Sequence, residues 1–199
     1  MGVLCLSRLV VLVTGTPCVG KTSVSKFLAV RLDAVYINLT DLAIKEKLVL
    51  GEDMERKSII FDERRVRRRI SEIILENLSR NVVVDGHAAG LVPKRFLTYA
   101  FVLRRDPTEL REFMEKSGFS GRKLWENLAC EILDVCLVEA LKAYGEGKVC
   151  EVNVSGKSVE DAAAEILEVL KGSKKCRLGV VDWLGKLERE GRLGEFLKI

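Results

Sequence analysis

The chain of 199 residues has no glutamine, a single histidine and three prolines, and aromatic residues make up only 6% of it. Missing glutamine beside abundant Lys, Arg and Glu is the bias expected where thermolabile amides are avoided. The lone His87 and the six cysteines at 5, 18, 130, 136, 150 and 176, none in a C-x-x-C pair, exclude the familiar zinc sites. Reduced thiols and a cytoplasmic location are the resulting expectation. No apolar run reaches about eighteen residues, so no transmembrane helix is expected. The apolar start is broken by Ser7 and Arg8 and lacks a basic leader region, and therefore reads as a buried strand. Leu6 stands where a myristoylation signal needs Ser or Thr. A net charge of +4, from 33 basic and 29 acidic residues, suits phosphate ligands mildly and argues nothing about nucleic acid.

What is present is a globular composition, 48% hydrophobic and 31% charged, enough for one α/β core. Strand-length apolar runs at Leu9 to Val13, Ala34 to Ile37, Val82 to Val84, Ala100 to Leu103 and Val149 to Val152 alternate with helical periodicities. The helices are expected over Lys21 to Arg31, Asp62 to Arg80, Pro107 to Lys116, Lys123 to Tyr144 and Val159 to Lys171. That alternation predicts a parallel five-stranded sheet with helices on both faces. Two polar segments, 38 to 60 and 116 to 121, read either as movable flaps or as ordinary loops. From Gly172 onward, Val180, Val181, Trp183, Leu184 and Leu187 mark one helical face that packs back on the domain or docks a partner.

Residues 9 to 23, LVVLVTGTPCVGKTS, hold Gly15, Gly20, Lys21 and Thr22 in the spacing G-x-x-x-x-G-K-[ST]. Glycines let successive N–H groups converge on one anion at the positive end of a helix. Lys21 then reaches the β- and γ-phosphates, and the Thr22 hydroxyl meets Mg²⁺. Such a loop needs a carboxylate for the metal at a neighbouring strand end, and Asp85 after three valines supplies it. His87, two residues on, is a candidate to orient a water or relay a proton, against the plainer reading of a structural histidine. The expected ATP-binding run is Gly15, Pro17, Cys18, Val19, Gly20, Lys21, Thr22 and Ser23. Lys21, Asp85 and His87 are the candidate catalytic residues, with Thr22 and Asp85 for Mg²⁺.

The blocks GTPCVGKT, YINLTDLA, FDERRV, VVVDGH with VPKRF, FVLRRD and GFSGRKLWENLACEI stand in an order that resembles the small broad-specificity adenylate kinases related to nuclear adenylate kinase isoenzyme 6 and the yeast ribosome-assembly ATPase. The resemblance covers about residues 8 to 171. It implies a P-loop NTPase fold of the nucleoside monophosphate kinase type over 1–171, with a monophosphate segment at 38–60, a lid at 116–126, and an extension at 172–199. It implies transfer of phosphoryl from ATP to AMP with slower ATP hydrolysis, in a monomer without membrane contact. It also implies partners in the small-subunit ribosomal protein uS11 and small-subunit ribosomal RNA. Asn38, Asp41 and Arg65 become the expected AMP contacts. Three departures stand out: Cys18 where glycine is usual, Ser117 where some relatives carry a lid arginine, and Gly86 in place of a bulkier residue. Arg104, Arg105, Arg122 and Lys123 are the expected substitutes for the missing arginine.

Other signals carry a plain alternative. RRVRRR over 64–69 is a solvated helix face or a contact for RNA or the AMP phosphate. Cys18 beside Lys21 is an inert small residue or a stabilised thiolate. Cys130 and Cys136 read as core. Trp125 stacks on adenine or packs. Asn153 to Lys157 is an adenine-facing segment or a strand-to-helix loop capped by Ser158.

Overall fold

The structure, a computed structural model, describes residues 8–53 and 58–198. The apolar start before residue 8, with Cys5, and positions 54–57 of the monophosphate segment lie outside the described residues. The chain runs β1 (Val10–Thr14), α1 (Lys21–Arg31), β2 (Ala34–Asn38), α2 (Leu39–Lys45), β3 (Val49–Asp53), β4 (Ser58–Phe61), α3 (Glu63–Glu76), β5 (Asn81–Asp85), β6 (Tyr99–Arg104), α4 (Pro107–Lys116), α5 (Gly121–Ile132), α6 (Val135–Tyr144), β7 (Val149–Asn153), α7 (Val159–Leu170), α8 (Trp183–Arg189) and α9 (Leu193–Phe196).

Five strands form the expected parallel sheet in the order β2-β5-β1-β6-β7. Strand period two sends alternate residues to opposite faces. Val11, Val13, Val83, Phe101, Leu103 and Val152 face α1, α5 and α7. Val10, Leu12, Val82, Val84, Val102 and Val149 face α3 and α6. Both faces are covered, which is why these strands are continuous Val/Leu runs rather than alternating ones. Each fully buried Val or Leu stabilises the fold by about 1.5–3 kcal/mol relative to exposure.

The sequence-based boundaries fail in three places, the first being the helix expected to run to Arg80, which ends at Glu76. The single helix expected over 123–144 is two: α5 ends at Ile132 and α6 starts at Val135, because Asp134 takes a left-handed conformation (φ 57) and its carboxylate binds Arg104. The 38–60 segment contains a seven-residue helix, α2, capped by Asn38 Oδ1 on the Asp41 N–H, followed by the antiparallel pair β3–β4.

Beyond Gly172 the chain packs onto the first face. Trp183, Leu187 and Phe196 are buried in the same core as Val13 and Leu128. The Arg177 carbonyl accepts from Glu151 N and the Val180 N–H donates to Glu151, so the segment lies beside β7. This proximity joins Cys150 to Cys176 in a disulfide with a Cα–Cα distance of 5.1 Å. The expectation that all thiols are reduced is thereby corrected; Cys18, Cys130 and Cys136 are free. Among the described residues no helix is long and apolar enough to cross a membrane.

Candidate active site

The phosphate loop leaves β1 and enters α1 through two positive-φ glycines, Gly15 at 135° and Gly20 at 107°. A Cβ on Gly15 would lie 2.6 Å from the Leu103 carbonyl oxygen, so a side chain there collides with backbone. Between them Cys18 also sits at φ 64, the region that favours the glycine it replaces. Lys21 opens α1 and folds back over the loop, Nζ donating to the Thr16 carbonyl at 2.8 Å. Burial pulls the Lys21 pKa below its ordinary 10.5, while Cys136 and Asp85 oppose the shift. A phosphate arriving there replaces that carbonyl as a charged partner for the ammonium.

Asp85 ends β5 buried, and its Oδ2 accepts from Thr22 Oγ1 at 2.7 Å, Asn38 Nδ2 at 2.8 Å and Tyr36 OH at 2.9 Å. Register explains the convergence, since β2 pairs Asn38 with Asp85 and β1 pairs Val13 with Asp85. Burial, with Asp85 adding to it and Asn38 opposing, pushes the Tyr36 phenol up to about 12. A hydroxyl and a carboxylate oxygen held together beside a phosphate loop are the hard donors that suit Mg²⁺.

Beside this edge lies a cavity of about 930 Å³. Its walls include Pro17 of the phosphate loop, Phe61 of β4, His87, Phe119 of the α4–α5 turn, Lys123 and Cys136. The His87 and Phe61 rings are 6.2 Å apart. Surrounding protein and the Lys21 charge hold the His87 pKa below 6.5, against the opposing pull of Asp85. His87 is therefore a neutral ring at neutral pH, able to accept a proton at one nitrogen.

Comparisons with known proteins fit this geometry. A family model described as an AAA domain matches residues 11–134. The chain is 39% identical over 174 residues to the "Putative adenylate kinase" of Methanocaldococcus jannaschii, covering 87% of this chain and 92% of that protein. It is 38% identical over 177 residues to the protein of the same name from Thermococcus onnurineus, covering 88% and 91%. The chain belongs to this adenylate kinase family. Among solved structures, it is similar to a shikimate kinase from Acinetobacter baumannii in complex with shikimate, with TM-score 0.61, 14% identity and coverage of 85% and 97%. It is also similar to a thymidylate kinase from Candida albicans, with TM-score 0.55, 14% identity and coverage of 84% and 92%. At such identities the likeness concerns the fold, and it is the P-loop kinase fold expected from the sequence.

Within this adenylate kinase family member the structure brings Lys21, Thr22, Asp85 and His87 to one edge and disperses other candidates. Arg104 is no lid residue. It is 2% exposed, its Nε donates to Glu131 at 2.9 Å, and its remaining nitrogens bind Glu151, Asp134 and the Glu131 carbonyl. Arg105 does lie over the loop, 3.4 Å from the Val19 carbonyl, paired with Glu109 and stacked on Phe113. Arg122 is exposed and pairs with Glu126 at 2.7 Å, while Lys123 lies over the Phe119 ring at the cavity wall. Asn38 supports Asp85 and caps α2. Asp41 is exposed on α2, and Arg65 is exposed with its guanidinium 3.4 Å from the Lys47 carbonyl, so neither lines the cavity. Gly86 is required by Leu39, whose Cδ1 would be 2.4 Å from an added Cβ. Trp125 packs, with Arg111 and Lys198 over its ring. Ser158 caps α7 by accepting from Asp161 N.

Sequence reasoning missed Glu131, a 2% exposed acid whose carboxylate touches the phosphate loop. The available signal was its place on the buried side of α5, among Leu124, Leu128 and Ile132.

Proposed function

We propose that the protein transfers the γ-phosphoryl group of ATP to AMP, forming two ADP. The observation that carries this reading is that His87, close enough to feel the charges of Lys21 and Asp85, lines a roomy cavity together with Pro17 of the loop, Phe61 and Phe119, while Thr22 is bonded to Asp85 behind it. ATP phosphates lie along residues 15–23, and the acceptor occupies the space between Phe61, His87 and Phe119. Phosphoryl transfer asks little covalent work of a protein; it asks for alignment and for positive charge near the equatorial oxygens. Lys21 supplies that charge from a fixed helix start. Thr22 and Asp85 would hold Mg²⁺, which when bound neutralises phosphate charge. Neutral His87 accepts a hydrogen bond from the acceptor side or from a water, and Arg105 covers the loop mouth.

We further propose accompanying hydrolysis of ATP. The lid is a short turn, from Ser117 to Ser120, between α4 and α5, with an exposed serine where a clamping arginine would exclude water. A second reading, a switch whose hydrolysis releases a ribosomal partner such as uS11 with its RNA, is favoured by one feature. Arg64, Arg67, Arg68, Lys94 and Arg95 line an open basin between α3 and the β5–β6 connection.

The test is chromatographic separation of products after incubation with Mg-ATP, with and without AMP, using Lys21→Ala as the blank. ADP formed in step with AMP consumption, well above phosphate release, is the expected result. Phosphate release indifferent to AMP would overturn the kinase and favour the switch.

A further inference from the structure

Glu131 lies where three distant parts of the chain meet. Its Oε2 accepts from Thr16 Oγ1 of the phosphate loop at 2.6 Å. Its Oε1 accepts from Arg104 Nε at 2.9 Å, from the Arg105 N–H at 3.2 Å and from Trp183 Nε1 of α8 at 3.1 Å. Three donors thus share Oε1 and one takes Oε2, so four donors hold one carboxylate. The side chain is 1% exposed, so the carboxylate is removed from bulk solvent. Thr16 is itself fully buried and offers its carbonyl to Lys21, so the chain of contacts runs from Trp183 through Glu131 and Thr16 to the lysine that meets phosphate.

The C-terminal segment is fastened for this role at several points besides Trp183. Cys176 is bonded to Cys150, the Val180 N–H donates to Glu151 Oε2 at 2.9 Å, and Lys186 pairs with Asp106 at the start of α4. Glu151 in turn binds Arg104, the partner of Glu131. Two of these attachments, at Val180 and Trp183, end on the buried Arg104–Glu131–Glu151 cluster behind the loop. A loop that binds anions through backbone N–H groups depends on its curvature, and a misplacement near 1 Å is enough to cost about a hundredfold in rate. A buried carboxylate shared by four donors is a rigid post for that curvature.

We infer that Glu131 is a positioning residue which fixes the phosphate loop through Thr16, and that the C-terminal segment, by docking Trp183 on the same carboxylate, is part of the loop's support. The inference rests on the nucleotide-binding reading of residues 15–23, not on AMP being the acceptor.

The test uses the full-length protein and the affinity for Mg-ADP by calorimetry, with kcat and KM for ATP beside it. Thr16→Val removes the hydroxyl at nearly constant volume, and Thr16→Ser restores it. Trp183→Phe keeps the ring and removes the N–H donor. Expected are an affinity loss of about tenfold or more for Thr16→Val, recovery to within about threefold for Thr16→Ser, and a loss of about threefold for Trp183→Phe. All are measured below the melting temperature of each variant. A role confined to folding would lower the melting temperatures and leave affinities equal; that result overturns the inference. Glu131→Gln is the companion variant, since the amide retains shape while losing charge, and an unchanged affinity in it overturns the inference independently. If the wild-type chain binds Mg-ADP yet makes none from AMP, the kinase reading fails while the affinities still decide this one.

Discussion

The two sides of the cleft are built by opposite means. The phosphate side is a set of buried polar groups, each satisfied: Asp85 by three donors, Glu131 by four, Thr16 by both its oxygens. The cavity side is walled by Ile59, Phe61 and Phe119 on β4 and the α4–α5 turn, with Leu50 and Ile60 of the β3–β4 pair exposed. Saturated hydrogen bonding fixes direction, whereas a thin apolar wall can shift at little cost. The contrast separates a preorganised charge site from a wall that is cheaper to move.

The sharpest way to break the rigid side is Arg104→Ala. Removing the guanidinium leaves Glu131, Glu151 and Asp134 without their shared cation, and stability should fall by about 3–5 kcal/mol, read as a lowered midpoint in urea. Lys21→Ala leaves that cluster intact and should instead lower kcat about 10²–10³-fold, near 3–4 kcal/mol of barrier, with the melting temperature held within a few degrees. Reducing the Cys150–Cys176 bond, which closes a 26-residue separation, should cost about 3 kcal/mol, checked by urea unfolding with and without reductant.

On the deformable side the effects are smaller. Phe61→Ala should raise KM for AMP several-fold, about 1 kcal/mol, while KM for ATP stays unchanged in steady-state kinetics. The smallest effect concerns His87. Its folded pKa is below 6.5, so in the window just under 6.5 the unfolded chain binds more protons and wild-type stability rises with pH. His87→Gln should flatten that slope in urea midpoints measured across the window.

Legibility in the sequence follows the same division. The strands and α1 were readable because their cause is local: Val/Leu runs, then glycines at fixed offsets. Lys21, Thr22 and Asp85 were readable for the same reason. The break at Asp134 was not, since the apolar period continues from Leu128 through Leu133 and Val135, and what bends the chain is a carboxylate bound to Arg104 on another element. Arg104 itself read as a cation for phosphate because nothing in FVLRRD tells which arginine points inward. Glu131 and the Cys150–Cys176 pair are likewise consequences of where α5, β7 and the C-terminal segment meet, whereas Trp183 and Leu187 were legible as an apolar face, and the structure packs both on the core. The β3–β4 hairpin stayed hidden because strands of four and five residues pair without periodicity strong enough to notice.

Amide hydrogen exchange in the presence of Mg²⁺ and diadenosine pentaphosphate, which spans donor and acceptor sites at once, tests the division most directly. Slowed exchange is expected at 15–23, together with a larger gain at 58–61 and 117–127. Protection confined to 15–23 and the 153–157 loop, with the hairpin and lid unchanged, would contradict the placement of the acceptor in the cavity.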